Sequence, residues 1–198
     1  MLSHIKDSQR NWTVVTDNKS YQFGPSHPEY MSLVECVRSG DATQMVELID
    51  TGSKDNIAIA CDHAGFNLKQ ALVDHLIGQG YDLLDLGTND TEPVDYPDFA
   101  NALAEAIQNG KVKRGVLVCG SGIGISIAAN RHSGVRAALV HDALGAKLSR
   151  QHNDANVIAF GGQAISEDTA LECLNIFLST PFEGGRHSRR VDKLNIVS

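Results

Sequence analysis

The sequence predicts an α/β fold, a Rossmann-like doubly wound five-stranded parallel sheet preceded by a small ββαα N-terminal appendage. Three observations carry this. Short apolar runs recur five times from residue 56 onward, and amphipathic helical stretches separate them. The first 55 residues follow a different pattern. The length of 198 residues suits one full domain plus a small piece. An apolar fraction of 42% fits a chain with a real core rather than a disordered one.

The appendage comes first. Trp12–Thr16 and Lys19–Phe23 flank Asp17-Asn18, and apolar residues alternate on both arms, as in a hairpin. Pro25-Ser26-His27-Pro28 breaks the chain. Tyr30, Leu33, Val34 and Val37 then recur at helical spacing, which predicts a helix over 29–38. Ser39-Gly40-Asp41 stops it and offers a cap to a second short helix over 42–49, and 51–55 reads as a linker. Fifty-odd residues make a marginal core on their own, so this piece is expected to lean on a partner surface. The division is therefore 1–55 as an extension of unknown role and 56–198 as the main domain.

In the main domain, strands are predicted over 57–61, 81–86, 115–119, 137–141 and 157–160. Several are rich in Val and Ile and alternate weakly, as strands buried on both faces do. One helix carries Leu68, Ala71, Leu72 and Leu76 on one face. The next starts at Pro97, carries Phe99, Leu103 and Ile107, and has Gly110 past its end. A third opens near Ile125–Asn130, and a last one carries Ala170, Leu171, Leu174, Phe177 and Leu178 before Pro181. Right-handed crossovers line up the strand C-terminal ends along one edge, where such sheets bind ligands.

Charge and cysteines narrow the function classes. Seventeen Lys+Arg against 24 Asp+Glu give a formal charge of −7. That argues against bulk nucleic-acid or membrane-surface binding, although local arginines can still hold one small anion. No apolar run approaches the ~18 residues of a membrane span, and the opening residues lack the apolar stretch of a secretory signal. Cys36, Cys61, Cys119 and Cys173 form no CxxC pair, so zinc-finger spacing is absent and a reduced, cytoplasmic chain is expected.

Chemistry is sought after each strand. Asp62 and His63 follow the first, and Cys119 with Gly120-Ser121-Gly122-Ile123-Gly124 follows the third. His141-Asp142 follows the fourth, and Gly161-Gly162-Gln163 the fifth. The glycine loop is G-x-G-x-G, neither a dinucleotide fingerprint nor a P-loop. It is either a tight strand-to-helix turn or a nest of N–H groups for an anion. Cys119 beside it is either buried packing or a reactive thiol whose thiolate the helix N-terminus favours. The other three cysteines read as packing. His63 and His152 are both expected at the ligand edge, and His141 reads as structural or accessory. Arg186 and Arg190 are spaced i, i+4, so on one helix they share a face and suit a phosphate; a solvated terminal helix is the alternative.

The stretches CDHAGFNLK (61–69), LGT (86–88), VDYPDFA (94–100), CGSGIGISIAANR (119–131), LSRQHNDANVIAFGG (148–162) and EGGRHSRRVDKL (183–194) together resemble the ribose-5-phosphate isomerase B family. That family includes galactose-6-phosphate isomerase subunits and allose-phosphate isomerases. The resemblance spans about residues 56 to 194, and nothing in 1–55 belongs to it. It implies an aldose–ketose isomerase that interconverts ribose 5-phosphate and ribulose 5-phosphate through an enediolate, with no metal and no cofactor. By similarity, Cys119 is the base, and Ser121 and His152 open the sugar ring. The N–H groups of Gly120, Gly122, Ile123 and Gly124 stabilise the enediolate oxygen. His63, Arg186 and Arg190 hold the phosphate, and Asp62, Tyr96 and Asn153 bind hydroxyls. The resemblance further implies a homodimer or tetramer with its sites at the subunit interface.

Three departures matter. Ile125 stands where some relatives carry a carboxylate base, so the cysteine version applies. Ser121 replaces a common threonine and keeps the hydroxyl. Gln163 stands where an arginine is frequent, which leaves open a six-carbon substrate such as allose or galactose 6-phosphate. A non-catalytic sugar-phosphate-binding protein is the alternative from another class, motivated by the appendage.

Overall fold

The computed structural model describes residues 3–6, 12–15, 20–23, 30–40 and 56–194. The chain divides into two compact units, Met1–Lys54 and Asp55–Ser198. In the first, strands β1 (Ser3–Lys6), β2 (Trp12–Val15) and β3 (Ser20–Phe23) form an antiparallel sheet in that order. The two predicted arms pair, with Trp12 opposite Phe23 and Val14 opposite Tyr21. β1 is an addition to the predicted hairpin and pairs with β2. Helix α1 (Tyr30–Ser39) buries Leu33, Val34, Cys36 and Val37. The Asp17-Asn18 turn, the break at Pro25 to Pro28, the helix expected over 42–49 and the linker at 51–55 lie outside the described residues.

The second unit carries five parallel strands. They are β4 (Ile57–Cys61), β5 (Leu83–Asp85), β6 (Arg114–Cys119), β7 (Ala137–Leu139) and β8 (Val157–Gly161), in the order β5-β4-β6-β8-β7. Every residue of β4 and of β8 is buried, which is why these strands read as continuous apolar runs. The edge strands are shorter than their apolar runs. Tyr81 donates its N–H to Leu76 at 3.1 Å and so closes the preceding helix instead of entering β5. After β7, the Asp142 side chain leaves the sheet register to cap the next helix.

Helices cover both faces. On one, Ile57, Ile59, Cys61, Val116, Val118, Ile158 and Phe160 pack against α2 (Phe66–Gly78) and α6 (Glu167–Ser179). On the other, Ala58, Ala60, Leu117, Cys119, Val157 and Ala159 pack against α3 (Tyr96–Gln108) and α4 (Ile123–Ala129). Alternation along each strand assigns the residues to the two layers. The second layer is rich in alanine, so α3 lies close to the sheet. Helix α5 (Ala143–Asn153) puts Ala146 into the first cluster, and α7 (Ser188–Leu194) ends the described chain. Among the described residues no helix is long and apolar enough to cross a membrane.

Helix ends follow the local sequence. Asp142 and Ser166 accept N–H bonds from Gly145 and Thr169, as capping residues do. Helix α4 begins two residues earlier than its predicted start, directly after Gly122. This brings the glycine loop onto the helix N-terminus.

Candidate active site

The C-terminal ends of β4, β6 and β8 converge. Asp62 is buried, and its Oδ1 accepts the Gly65 N–H at 3.0 Å, closing the turn that carries His63. His63 Nδ1 lies 3.2 Å from both the N–H and the carbonyl of Val94. In the tautomer in which Nδ1 accepts from Val94, Nε2 carries the ring proton and is the donor the ring offers a ligand. Val94 lies two residues before Tyr96, so this contact ties the β4 turn to the start of α3.

Cys119 closes β6 and is buried, at 4% exposure. Its Sγ accepts the Gly122 N–H at 3.1 Å. Ser121 is exposed, and its Oγ accepts the Ile123 N–H at 3.3 Å. Two N–H groups expected to cradle an anion thus close on the loop's own side chains. Both contacts are weak ones, to a thiol and at long distance, and an incoming oxyanion would replace them with stronger charge-assisted bonds. Gly122 sits at φ +76° as the residue before α4, a conformation that favours glycine. The Tyr96 ring lies directly over Gly124, where a Cβ would come within 2.6 Å of it. The Gly162 N–H donates to the Cys119 carbonyl at 2.8 Å, and the Gln163 N–H to that of Gly120 at 3.0 Å. Asp62, His63, Tyr96, Cys119 to Gly124 and Gln163 therefore form one cluster.

His152 and Asn153 are not part of it, contrary to the expectation that His63 and His152 share the ligand edge. Helix α5 starts beyond the C-terminal end of β7 and runs back against the strand direction. Its last residues lie beside the start of β8, where the Asn156 carbonyl accepts from Gly115 at the start of β6. The two edges are separated by a five-residue strand, a length of about 16 Å. The arginines belong with His152. The Glu183 N–H donates to the Gln151 carbonyl at 3.1 Å, which fastens the C-terminal segment to the end of α5. Arg190 lies in α7, but Arg186 lies in the 3-10 turn Gly185–His187 before it, so the two do not share one regular helix as expected. Gly184 (φ +64°) opens that turn in a conformation that interrupts a helix.

Two residues of this second cluster carry no signal in the sequence. His187 is buried and stacks on His152, with ring centroids 4.3 Å apart and planes 5° from parallel. Glu183 Oε2 lies 4.0 Å from His152 Nε2 and 3.8 Å from His187 Nε2. The ligand-capable atoms of the three lie within 4.8 Å of one another. The Arg186 Nε–H, however, donates to His187 Nε2 at 3.2 Å, taking the lone pair a metal would need and placing a cation beside it. A cleft of about 370 Å³ adjoins this edge, lined by Asn130, Val135, Arg136, Asn153 and Leu194 among others.

The remaining cysteines are buried. Burial pushes the Cys61 thiol up to about 12 and that of Cys173 up to about 11, and both pack in the sheet–helix core. Cys36 is buried in α1, and the four cysteines form no disulfide. His141 is exposed and has no hydrogen bond among those described.

Comparison with known proteins places the chain among sugar-phosphate enzymes. Residues 57–194 match the family described as ribose/galactose isomerase. The ribose-5-phosphate isomerase B of Escherichia coli K12 is 44% identical over 141 residues, which is 71% of this chain and 95% of the relative. A ribose 5-phosphate isomerase structure from Thermotoga maritima is 45% identical with a TM-score of 0.70, covering 71% of this chain and 97% of that one. The Clostridium thermocellum ribose-5-phosphate isomerase B structure is 46% identical, also with a TM-score of 0.70, over 71% of this chain and 95% of that one.

Proposed function

This chain belongs to the ribose/galactose isomerase family, and from that premise we propose that it interconverts ribose 5-phosphate and ribulose 5-phosphate through an enediolate. It is an isomerase acting on a sugar phosphate. The observation that carries the finer reading is the setting of Cys119. Its sulfur ends β6 at the mouth of the glycine loop and accepts the Gly122 N–H at 3.1 Å.

The chemistry follows in order. His152, with Ser121 assisting, moves the proton of the anomeric 1-hydroxyl to the ring oxygen; the bond from C1 to that oxygen breaks, the oxygen leaves as the 4-hydroxyl, and C1 becomes the aldehyde. The Cys119 thiolate removes the C2 proton as base. Negative charge then develops on the C1 oxygen, and the N–H groups of Gly120, Gly122, Ile123 and Gly124 hold it; each well-aimed donor is worth roughly 3–4 kcal/mol. The same thiol returns the proton to C1, while the proton on the 2-hydroxyl passes to the C1 oxygen. The product is the ketose. His63, Arg186 and Arg190 hold the phosphate, and Asp62, Tyr96 and Asn153 bind hydroxyls.

Cys119 and His152 lie on opposite edges of one sheet, so a complete site draws its halves from two copies. A homodimer supplies them. Exposed Ile123 (54%), Ile127 (60%) and Leu144 (63%) at the Cys119 edge give such a dimer an apolar contact surface. In each site, one protomer gives Asp62, His63, Tyr96 and the Cys119 loop, and its partner gives His152, Asn153 and the two arginines.

Gln163 favours a second reading of the substrate. It offers the phosphate side a neutral amide, and a six-carbon sugar phosphate would reach the site differently. Steady-state rates on ribose 5-phosphate, allose 6-phosphate and galactose 6-phosphate separate the two. The highest kcat/KM is expected for ribose 5-phosphate; a higher value for either hexose would overturn the pentose assignment. Thermal stabilisation by all three with turnover of none would overturn catalysis itself.

Residues 1–55 are proposed to be dispensable for the reaction. The family match covers residues 57–194 and leaves this segment out. A protein starting at Asn56 is expected to be soluble and to keep kcat within about threefold of the full chain, because it retains every residue of both core clusters around the five-stranded sheet. An insoluble or inactive product would assign the N-terminal unit to the fold.

A further inference from the structure

We propose that His187 is a positioning residue for His152, holding the plane of that ring by stacking beneath it. This rests on the reading of His152 as the group that opens the sugar ring. The two imidazoles lie 4.3 Å apart and 5° from parallel, and His187 is the buried partner, at 6% exposure. His152 is half-buried, so it can meet a ligand while its other face rests on a fixed surface.

Two contacts fix His187 itself. Its N–H donates to the Gly184 carbonyl at 3.0 Å, which closes the turn made by Gly184 and Gly185. Its Nε2 accepts from Arg186 Nε at 3.2 Å, so that nitrogen carries no proton and the ring is neutral. Burial, the neighbouring His152 and Arg186 all push its protonation below the ordinary histidine range. Two stacked imidazolium rings would repel, and a neutral lower ring leaves the transferable proton to His152. The Glu183 carboxylate, 4.0 Å from His152 Nε2, lies on the side where that proton would be carried. The sequence hides this because His187 sits between two arginines that draw attention to the phosphate instead.

The test separates ring opening from every other step. Ribose 5-phosphate closes its ring through the 4-hydroxyl, so its 4-deoxy analogue stays open and needs no ring opening. Each variant is compared with the wild-type full chain on both substrates. His187→Ala is expected to lower kcat/KM on ribose 5-phosphate by about tenfold to a hundredfold, the scale of a misplaced catalytic group. On the open analogue it should change by less than about twofold. His187→Phe keeps a flat ring for stacking and should recover most of the loss. His187→Asn replaces the alanine variant if thermal melting shows that the latter does not fold. Equal losses on both substrates, or no loss on either, would overturn the positioning role. His152→Ala is the reference. If it too treats both substrates alike, the ring-opening reading of His152 fails, and the inference falls with it. If His152→Ala discriminates and the His187 variants do not, only the inference falls.

Discussion

Cys119→Ala is expected to lower kcat on ribose 5-phosphate by about 10²–10⁴-fold, the usual contribution of a general base. No other described group stands ready to replace the sulfur at the end of β6. Asp62, the nearest buried carboxylate in sequence to this edge, is committed through Oδ1 to the Gly65 N–H. The fold should tolerate the change. Cys119 is buried on the α3–α4 face, and deleting one sulfur from a buried site costs about 1 kcal/mol. Melting temperature and kcat measured on the same preparation therefore separate chemistry from stability. A melting curve close to wild type with turnover unchanged would remove Cys119 from the mechanism.

Gly122→Ala is expected to damage stability and catalysis together. A left-handed conformation costs a residue with a Cβ about 1–2 kcal/mol, and Gly122 has φ +76°. The new methyl would also lie 2.4 Å from Leu139 Cδ1 and 2.8 Å from the Phe160 backbone carbon, so the loop must shift. The shift moves the N–H that meets Cys119 and the donors that follow it. Losing an oxyanion donor costs about 10²–10³-fold in kcat, and that is the drop expected here. Denaturant melts and steady-state kinetics check both parts. A stable variant with normal kcat would mean that the loop is only a turn.

Much of the fold was legible because burial writes itself into composition. β4 and β8 are enclosed on both faces and so read as unbroken apolar runs. β5 is shorter than its apolar run because Tyr81 serves the preceding helix, a use that an apolar run cannot display, and β7 ends at Leu139, three residues before the cap Asp142. β1 has no signature in the sequence, because Ser3-His4-Ile5-Lys6 has one apolar residue and depends on pairing with β2.

The site divides in the same way. Asp62, His63 and the Cys119 loop follow strands, and strand ends identify an edge without further knowledge. His152 lies in the last turn of a helix that runs back, so its edge is a matter of direction that its neighbours in sequence do not reveal. His187 and Glu183 act through a stack and a shared carboxylate, which exist only once α5 and the C-terminal segment meet. Arg186 and Arg190 were legible as a cationic pair, but the glycine turn that separates them from one helix was not.

Catalysis by a shared site needs the Cys119 half of one protomer and the His152 half of another. Mixing inactive Cys119→Ala protein with inactive His152→Ala protein, after dissociation and reassociation, tests it most directly. In a mixed two-fold dimer one site carries both substitutions and the other carries neither. Equal mixing should therefore restore about a quarter of the wild-type activity, half of the dimers being mixed and each having one intact site. Activity that stays at the level of the two separate variants, although mixed dimers have formed, would contradict a shared site.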